Sequence, residues 1–184
     1  MELLDIVDEN GEPTGQTVDR AEAHAKGVRH RTSHLWLLRE KEGGVQILLQ
    51  KRADDKPSYP GCYDISSAGH IPAGDDFAVS ALRELREELG LSANEEELIP
   101  IGKRTIVSDE VFFGKEFHDR QVSKVFVLWK DTEEFTLQRE EVSAVVWKDF
   151  AACFEDVAND RIKHCIAVEE LQMIKDYLAR EGRL

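Results

Sequence analysis

Two kinds of hydrophobic repeat alternate along the chain, one typical of strands and one typical of helices. Segments in which apolar residues alternate with polar ones, or in which β-branched residues are dense, predict strands. They lie at residues 2–8, 32–39, 45–51, 64–68, 98–107, 122–129 and 142–147. Asn10-Gly11 follows the first of them and predicts a hairpin turn.

Helices are predicted where the repeat lengthens to three or four residues. Asp19 is a suitable cap for a short helix over 20–26, and Gly27 ends it. Later helices are predicted at Asp149–Asn159 and Arg161–Arg180. The last of them carries an apolar stripe formed by Ile162, Ile166, Leu171, Ile174 and Leu178. Strands around a central helix, with helices after them, predict an α+β or α/β sandwich.

The composition suits one acidic domain. A chain of 184 residues can bury its own core, so we expect a single domain over residues 1–184. The formal net charge of −13 argues against general affinity for nucleic-acid backbones or anionic membranes. A small phosphorylated substrate remains compatible with this charge, because a bound metal can reverse it locally.

Cysteine usage and the start of the chain indicate the compartment. Cys62, Cys153 and Cys165 form no CxxC pair, which predicts free thiols in a reducing environment. The acidic start, MELLDIVDEN, lacks the apolar core of a signal peptide. No apolar run approaches the roughly 20 residues of a membrane span. We therefore expect a cytoplasmic protein that does not enter a membrane.

Residues suited to catalysis concentrate in one stretch, GHIPAGDDFAVSALRELREELGL, which begins at Gly69. A helix turns about 100° per residue, so Glu84, Glu87 and Glu88 share one face. Crowded carboxylates favour a hard cation such as Mg²⁺ or Mn²⁺. Such a cation can bridge substrate phosphates and lower the pKa of an attacking water. A solvated acidic helix is the alternative interpretation of these glutamates.

The same stretch resembles the box of the Nudix hydrolase superfamily, G-x5-E-x7-R-E-U-x-E-E-x-G-U, in which U is a bulky aliphatic residue. The matching positions are Gly69, Arg83, Glu84, Leu85, Glu87, Glu88, Gly90 and Leu91. Asp75 departs from the pattern, because the family has glutamate there. The resemblance implies a Nudix fold, in which a mixed sheet lies between helices and a loop–helix–loop segment holds metal against a diphosphate.

The resemblance also assigns roles to the box residues. It implies Glu87 and Glu88 as the first metal ligands, with Glu84 as a further ligand or the general base. Arg83 is expected to orient these carboxylates rather than to touch substrate. The carbonyl of Gly69 and the shorter side chain of Asp75 are expected to complete the site.

Outside the box, the chain is similar to the isopentenyl-diphosphate isomerase branch of the superfamily. The similar segments are LLDIVDENGEPTG, HAKGVRHRTSHLWLL and QKRADDKPSYPGCYDISSAGH. Isomerases of this branch need a cysteine and an opposed glutamate as acid–base partners. Ala68 stands at the cysteine position. The segment where the opposed glutamates are expected reads Asp119, Arg120 and Gln121 and contains no glutamate. The presence of Arg83, Glu84, Glu87 and Glu88 therefore favours water attack on phosphorus over isomerisation.

Two histidines align with metal-binding histidines of the isomerase branch. They are His30 and His70, and both are candidates to face metal or substrate, although a lone histidine at a strand start is more often structural. Glu141 resembles a late carboxylate that some family members place near the metals. A charged turn before a strand is the alternative interpretation of that residue.

Basic and aromatic residues supply candidates for substrate contacts. Arg31, Lys51 and Arg52 could bind phosphate, because an arginine fork matches phosphate oxygens and a lysine supplies a positive charge. Ordinary surface charge is the alternative for each. Phe112 and Phe117 lie in a segment that could stack on a base or cover an apolar tail, although an ordinary hydrophobic loop anchor is the favoured interpretation.

Together these observations predict a Mg²⁺- or Mn²⁺-dependent pyrophosphohydrolase. Its expected partner is a small-molecule diphosphate, such as a nucleoside di- or triphosphate or a derivative, and the chain is expected to be a monomer or a homodimer. The alternatives are an isomerase of isoprenoid diphosphates, which Ala68 disfavours, and a non-catalytic Nudix module that binds a nucleotide.

Overall fold

The computed structural model describes residues 2–184, which form two sheets and four helices. The strands are β1 (Leu3–Val7), β2 (Pro13–Asp19), β3 (His30–Lys41), β4 (Gly44–Arg52), β5 (Tyr63–Asp64), β6 (Ser67–His70), β7 (Ile99–Phe112), β8 (Lys115–Trp129) and β9 (Val142–Asp149). The helices are α1 (Arg20–Lys26), α2 (Phe77–Leu89), α3 (Phe150–Ala158) and α4 (Val168–Arg180), with a 3-10 turn at Glu95–Glu97. Within residues 2–184, no helix is long and apolar enough to cross a membrane.

The main sheet is mixed, and β3 lies at its centre. The strand order is β5-β4-β3-β8-β7, with β6 added to β3 and β9 added to β4. β3 runs parallel to β8, from His30 opposite Gln121 to Leu38 opposite Trp129. The other pairings of this sheet are antiparallel. Because β3 has neighbours on both sides and layers on both faces, its residues 30–39 are buried.

Helices cover both faces of this sheet, which confirms the predicted sandwich of helix, sheet and helix. On one face, Leu85 of α2 packs in a cluster with Leu35 of β3. On the other face, Ile174 of α4 packs in a cluster with Trp36 of β3. Successive side chains of a strand point to opposite faces, so neighbouring residues of β3 belong to different layers.

The helix predicted from the box is α2, and its two ends are capped. The side chain of Asp76 accepts hydrogen bonds from the N–H groups of Ala78 and Val79. At the other end, Gly90 takes the left-handed conformation with φ of 70°, which suits glycine. The loop before Asp76 therefore enters the helix at a defined point.

The last helix is shorter than predicted. We expected it to begin at Arg161, but α4 begins at Val168. The preceding residues run beside Tyr63, whose N–H donates to the carbonyl of Lys163 at 2.9 Å. The N–H of Cys165 donates in turn to the carbonyl of Tyr63 at 3.0 Å. These contacts with β5 give backbone groups of residues 163 and 165 hydrogen-bond partners without a helix. The apolar stripe alone therefore predicted too long a helix.

The hairpin formed by β7 and β8 is longer than predicted. We expected its strands to end at Val107 and to resume at Val122, whereas β7 runs to Phe112 and β8 begins at Lys115. The added part carries many polar residues and is mostly exposed or half-buried, so no apolar repeat identifies it as strand. For the same reason the hydrophobic pattern does not predict β2, most of which is exposed.

Candidate functional site

The box glutamates lie where α2 passes the end of β6. Glu84 packs directly on Gly69, and a Cβ added to this glycine would lie 2.2 Å from the carboxyl carbon of Glu84. Only glycine therefore leaves room for this carboxylate. Glu88 lies one turn further along α2, and it accepts a hydrogen bond from the N–H of Ala68 at 3.3 Å.

Arg83 ties the carboxylates to each other and to β6. Its Nη2 lies 2.7 Å from Oε1 of Glu84, and its Nη1 lies 3.0 Å from Oε2 of Glu87. The same Nη2 donates to the carbonyl of His70 at 3.2 Å. With these acceptors the guanidinium is placed to orient the carboxylates, as the resemblance implies.

Burial and mutual repulsion change the acidity of the glutamates. Burial, reinforced by the charge of Glu84, raises the pKa of Glu88 to about 8. Burial also raises the pKa of Glu84 to about 7, although the charge of Arg83 opposes it. A nearby cation would stabilise the ionised form of these carboxyl groups and so lower their pKa values again. The arrangement therefore fits a divalent metal with oxygen ligands.

A second group of potential ligands adjoins the first. His24 of α1, His30 of β3 and His70 of β6 bring their ring nitrogens within 4.8 Å of one another. Nε2 of His24 lies 3.0 Å from Nε2 of His70, and Nδ1 of His24 lies 3.6 Å from Oδ1 of Asp119.

The histidine cluster, in which His24 and His30 are buried and His70 is half-buried, keeps polar atoms without partners. Nδ1 of His24, Nε2 of His30 and Oδ1 of Asp119 make no hydrogen bond within the described chain. Burial, helped by nearby positive charge, lowers the pKa of His24 to about 4, and it lowers the pKa of His30 and of His70 as well. Neutral imidazoles with free ring nitrogens fit a divalent cation.

His24 is the member of this cluster that the sequence did not identify. The predictions included His30 and His70, which align with known ligands. His24 lies on the short helix α1, which ends at the left-handed Gly27, and its ring centroid lies 4.9 Å from that of His30. Its position six residues before His30 gives no recognisable metal spacing.

A cavity of about 1250 Å³ opens onto both groups of ligands. Its lining includes the predicted residues Gly69, His70, Arg83, Glu84, Glu87, Glu88, Arg52 and Glu141. Arg52 donates to the carboxylate of Asp64 at 2.9 Å and to the carbonyl of Ser58 at 3.0 Å. Lys56 forms an ion pair with Glu141 across the cavity wall.

Several predicted site residues lie outside this lining. The side chain of Arg31 contacts the carboxylate of Asp5 at 2.8 Å and the carbonyl of Asp75 at 2.9 Å. Lys51 pairs with Tyr63 in the sheet and does not line the cavity. Asp75 and the fully buried His30 are likewise absent from the lining. The structure therefore does not bring Arg31 or Lys51 to this cavity.

Aromatic side chains form one wall of the cavity. The ring of Tyr59 contacts that of Phe112 edge to face, with 4.7 Å between centroids. Phe112 contacts Phe117, and Phe117 stacks on His24 with 4.3 Å between centroids. The hairpin tip that looked like a hydrophobic anchor in the sequence thus faces the cavity through Phe112 and Phe117. Phe113 at its turn also lines the cavity, but it is 77% exposed.

A buried ionic network, which the sequence did not predict, lies beneath the cavity. Glu170 of α4 accepts from Nδ1 of His34 at 2.7 Å, from Arg104 at 2.6 Å and from the indole of Trp36 at 2.9 Å. Burial opposes ionisation of Glu170, but His34 and Arg104 hold its pKa at about 2. Ion pairs from Glu170 to Arg104 and to His34, which are distant from it in sequence, therefore hold α4 against the floor of the cavity.

The residues that replace the isomerase acid and base also lie at this cavity. Ala68 and Gln121 both line it, and Gln121 accepts a hydrogen bond from the hydroxyl of Thr32 at 3.1 Å. Cys62 is buried and does not line it. All three cysteines are free thiols.

Comparison with known proteins gives relatives named as Nudix hydrolases and a relative named as an isopentenyl-diphosphate isomerase. Nudix hydrolase 3 of Arabidopsis thaliana is 45% identical over 148 residues, which cover 78% of this chain and 19% of that protein. The chain therefore spans about a fifth of that relative. An isopentenyl-diphosphate Delta-isomerase of Aliivibrio fischeri is 30% identical over 149 residues, covering 79% of each chain.

The fold is shared with a solved structure of low sequence identity. The crystal structure of DR0079 from Deinococcus radiodurans matches with a TM-score of 0.71 at 19% identity, covering 93% of this chain and 98% of that one. The NUDIX domain family model matches residues 28–166, from the end of the first helix to the start of the last. With the box positions brought together as described, this match shows that the chain belongs to the NUDIX domain family.

Proposed function

We propose that the protein is a divalent-metal-dependent pyrophosphohydrolase that cleaves a diphosphate linked to another moiety. The observation that carries this proposal is the contact of Glu84 with Gly69, with Arg83 holding Glu84 and Glu87 beside the buried Glu88. All of these residues line a cavity large enough for a substrate. Hydrolases of this family generally use divalent cations, and Mg²⁺ or Mn²⁺ suits the carboxylate donors.

The box residues divide the work of binding and proton transfer. Glu87 and Glu88 are the proposed first ligands, and the carbonyl of Gly69 is a proposed further one. Glu84 is a ligand or the general base, because a carboxyl with a pKa of about 7 can accept a proton near neutral pH. A bound divalent cation would polarise a phosphate oxygen and make water a stronger nucleophile.

Other cavity residues would hold the remainder of the substrate. Arg52 and Lys56 are proposed to bind the phosphate that leaves, since both line the cavity and carry positive charge. The wall of Tyr59, Phe112 and Phe117 offers flat apolar surface for a nucleobase. Nucleoside di- and triphosphates and their derivatives are therefore the proposed substrate class.

The histidine cluster is proposed as a second cation site. His24, His30 and His70, with Asp119 beside them, offer nitrogen donors and an oxygen donor. This set is softer than the carboxylate set, so it would accept Mn²⁺, Co²⁺ or Zn²⁺ more readily than Mg²⁺. It is joined to the first site through β6, because His70 follows Gly69 directly.

Two alternatives are less well supported. Isomerisation of an isoprenoid diphosphate needs an acid–base pair, and the methyl group of Ala68 cannot transfer a proton. A non-catalytic nucleotide-binding module would not need the box carboxylates, yet Glu84, Glu87 and Glu88 are retained. Cytoplasmic location, a single domain and a monomeric or dimeric state stay predictions.

The test is phosphate and pyrophosphate release from a substrate panel with Mg²⁺ or Mn²⁺. The panel contains nucleotides, nucleotide sugars, dinucleotides and isopentenyl diphosphate. We expect metal-dependent release by the natural protein and loss of release in Glu87→Gln. Glu22→Gln is the matched control, because Glu22 lies on the exposed side of α1 and pairs only with Lys26. Isomerised isopentenyl diphosphate, or nucleotide binding without turnover, would contradict the proposal.

A further inference from the structure

The loop that leads into α2 is held by the N-terminal strand β1. Leu4 forms a bridge with Pro72, and the N–H of Ala73 donates to the carbonyl of Leu3 at 2.8 Å. The N–H of Gly74 donates to Oδ2 of Asp5 at 3.0 Å. Successive residues of the loop thus contact a segment that precedes residues 28–166, the part matched by the family model.

Asp5 and Arg31 join this loop to the sheet. Nη2 of Arg31 lies 2.8 Å from Oδ2 of Asp5, and it also donates to the carbonyl of Asp75 at 2.9 Å. The side chains of Asp5 and Arg31 are only 13% and 8% exposed. The guanidinium lies 5.4 Å from the ring centre of Phe77, the first residue of α2. One buried ion pair therefore contacts two successive loop residues, Gly74 and Asp75, and reaches the start of the helix.

We infer that Asp5 is a positioning residue for the metal-binding carboxylates, and that it acts through Arg31 and the loop. The inference rests on the proposed function of those carboxylates. The loop connects Gly69, on which Glu84 packs, to Asp76, where α2 begins. A displacement of the loop moves α2 along β6 and separates Glu84 from Gly69. Asp5 thereby supports the loop beside Asp75, where the shorter side chain replaces the family glutamate.

The ion pair is suited to this task because its members cannot relax independently. A buried guanidinium without its carboxylate is strongly unfavourable, so Arg31 will follow Asp5 or leave the site. Arginine also donates to two acceptors in fixed directions, which lysine cannot do. Residues that hydrogen-bond metal ligands directly commonly change metal affinity about 10- to 100-fold when they are replaced, and for Asp5, which acts through the loop, we expect the lower end of that range.

The experiment compares Asp5→Asn with Val18→Ala. Asparagine keeps an acceptor for Gly74 but removes the charge opposite Arg31, whereas Val18 is a buried residue of the same hairpin without polar contacts to the loop. Mn²⁺ binding is measured by electron paramagnetic resonance, and the carboxylate site is the part of the titration that Glu88→Gln loses. Hydrogen exchange of the peptide over residues 71–76 is measured alongside.

We expect Asp5→Asn to weaken Mn²⁺ binding at the carboxylate site about 10-fold and to speed exchange in the loop. Val18→Ala should lower the melting temperature and leave both quantities unchanged. Equal effects of the two variants at equal loss of stability would overturn the inference. Arg31→Lys, which retains the charge, gives the same test if Asp5→Asn does not fold.

The result also separates this inference from the proposed function. Normal Mn²⁺ binding without hydrolysis of any diphosphate would contradict the proposed hydrolase function. The Mn²⁺ titration of Asp5→Asn would still test the role of Asp5 in that case. If Glu88→Gln loses no Mn²⁺ binding, the carboxylates are not the metal site and both proposals fail.

Discussion

Replacement of Glu88 by glutamine is predicted to stabilise the metal-free protein at alkaline pH while abolishing metal-dependent activity. Glu88 is 6% exposed, and its pKa is raised from 4.5 to about 8 by burial and then by Glu84. Since one pKa unit corresponds to about 1.4 kcal/mol, ionising this buried group costs the folded state up to about 5 kcal/mol. Relaxation of the site and the new amide protons reduce the gain, so we expect about 2 kcal/mol from the substitution.

The sign of the effect follows from the direction of the pKa change. A carboxyl whose pKa is higher in the folded state stabilises that state while it is protonated, below about pH 4.5. That contribution is lost as the pH rises through about 8, where the folded protein ionises. Glutamine does not titrate, so the advantage of Glu88→Gln should grow between these limits and then level off. The hydrogen bond from the N–H of Ala68 is retained by the amide oxygen.

The assay is urea unfolding between pH 5 and pH 9 in the presence of a chelator. Glu87→Gln is the matched control, because the Glu87 side chain is 50% exposed and its replacement removes no buried charge. With Mn²⁺ added, the natural protein should overtake Glu88→Gln, because only the natural protein gains binding energy at the carboxylate site, whereas both gain equally at the histidine cluster. A stability difference that does not vary with pH, or a loss of stability at pH 8.5 without metal, would refute the reasoning.

Three further predictions use the same geometry. Gly69→Ala should lower kcat about 100-fold, because its Cβ would displace Glu84; steady-state kinetics measure this, and near-normal activity would contradict the close packing. Glu170→Gln should destabilise the fold by about 3 kcal/mol, because it leaves Arg104 and His34 without their anion; urea unfolding tests this, and an unchanged midpoint would contradict the network. His24→Ala should remove the component of Co²⁺ binding that gives a nitrogen-ligand visible spectrum, and an unaltered spectrum would exclude the histidine cluster as a metal site.

The sequence predicts those parts of the site that depend only on residues close together in the chain. The box determines which residues share a face of α2, because helical spacing converts sequence distance into direction. The ends of α2 are also determined by nearby residues, since the side chain of Asp76 caps its start and the left-handed conformation of Gly90 caps its end. The sandwich follows from the same kind of information, as each element carries its own apolar repeat.

Contacts between distant segments explain what the sequence did not predict. His34 and Glu170 are 136 residues apart, and no repeat relates them. Arg31 looked available for phosphate because Asp5, its partner, lies 26 residues earlier in another sheet. The helical stripe before Val168 was misleading for the same reason, because Tyr63 offered those residues an extended alternative.

The parallel pairing of β3 with β8 has a consequence for folding. The hydroxyl groups of Thr32 and Ser123 are hydrogen-bonded neighbours although 91 residues separate them. During synthesis β3 therefore waits for β8 with the edge that pairs with it still open, and contacts of such long range form slowly. We expect docking of β8 to limit the folding rate, and fragments that end before Lys115 to aggregate. Because β8 also brings Asp119 and Gln121 to the cavity, the step that completes the pairing of β3 also adds this part of the cavity lining.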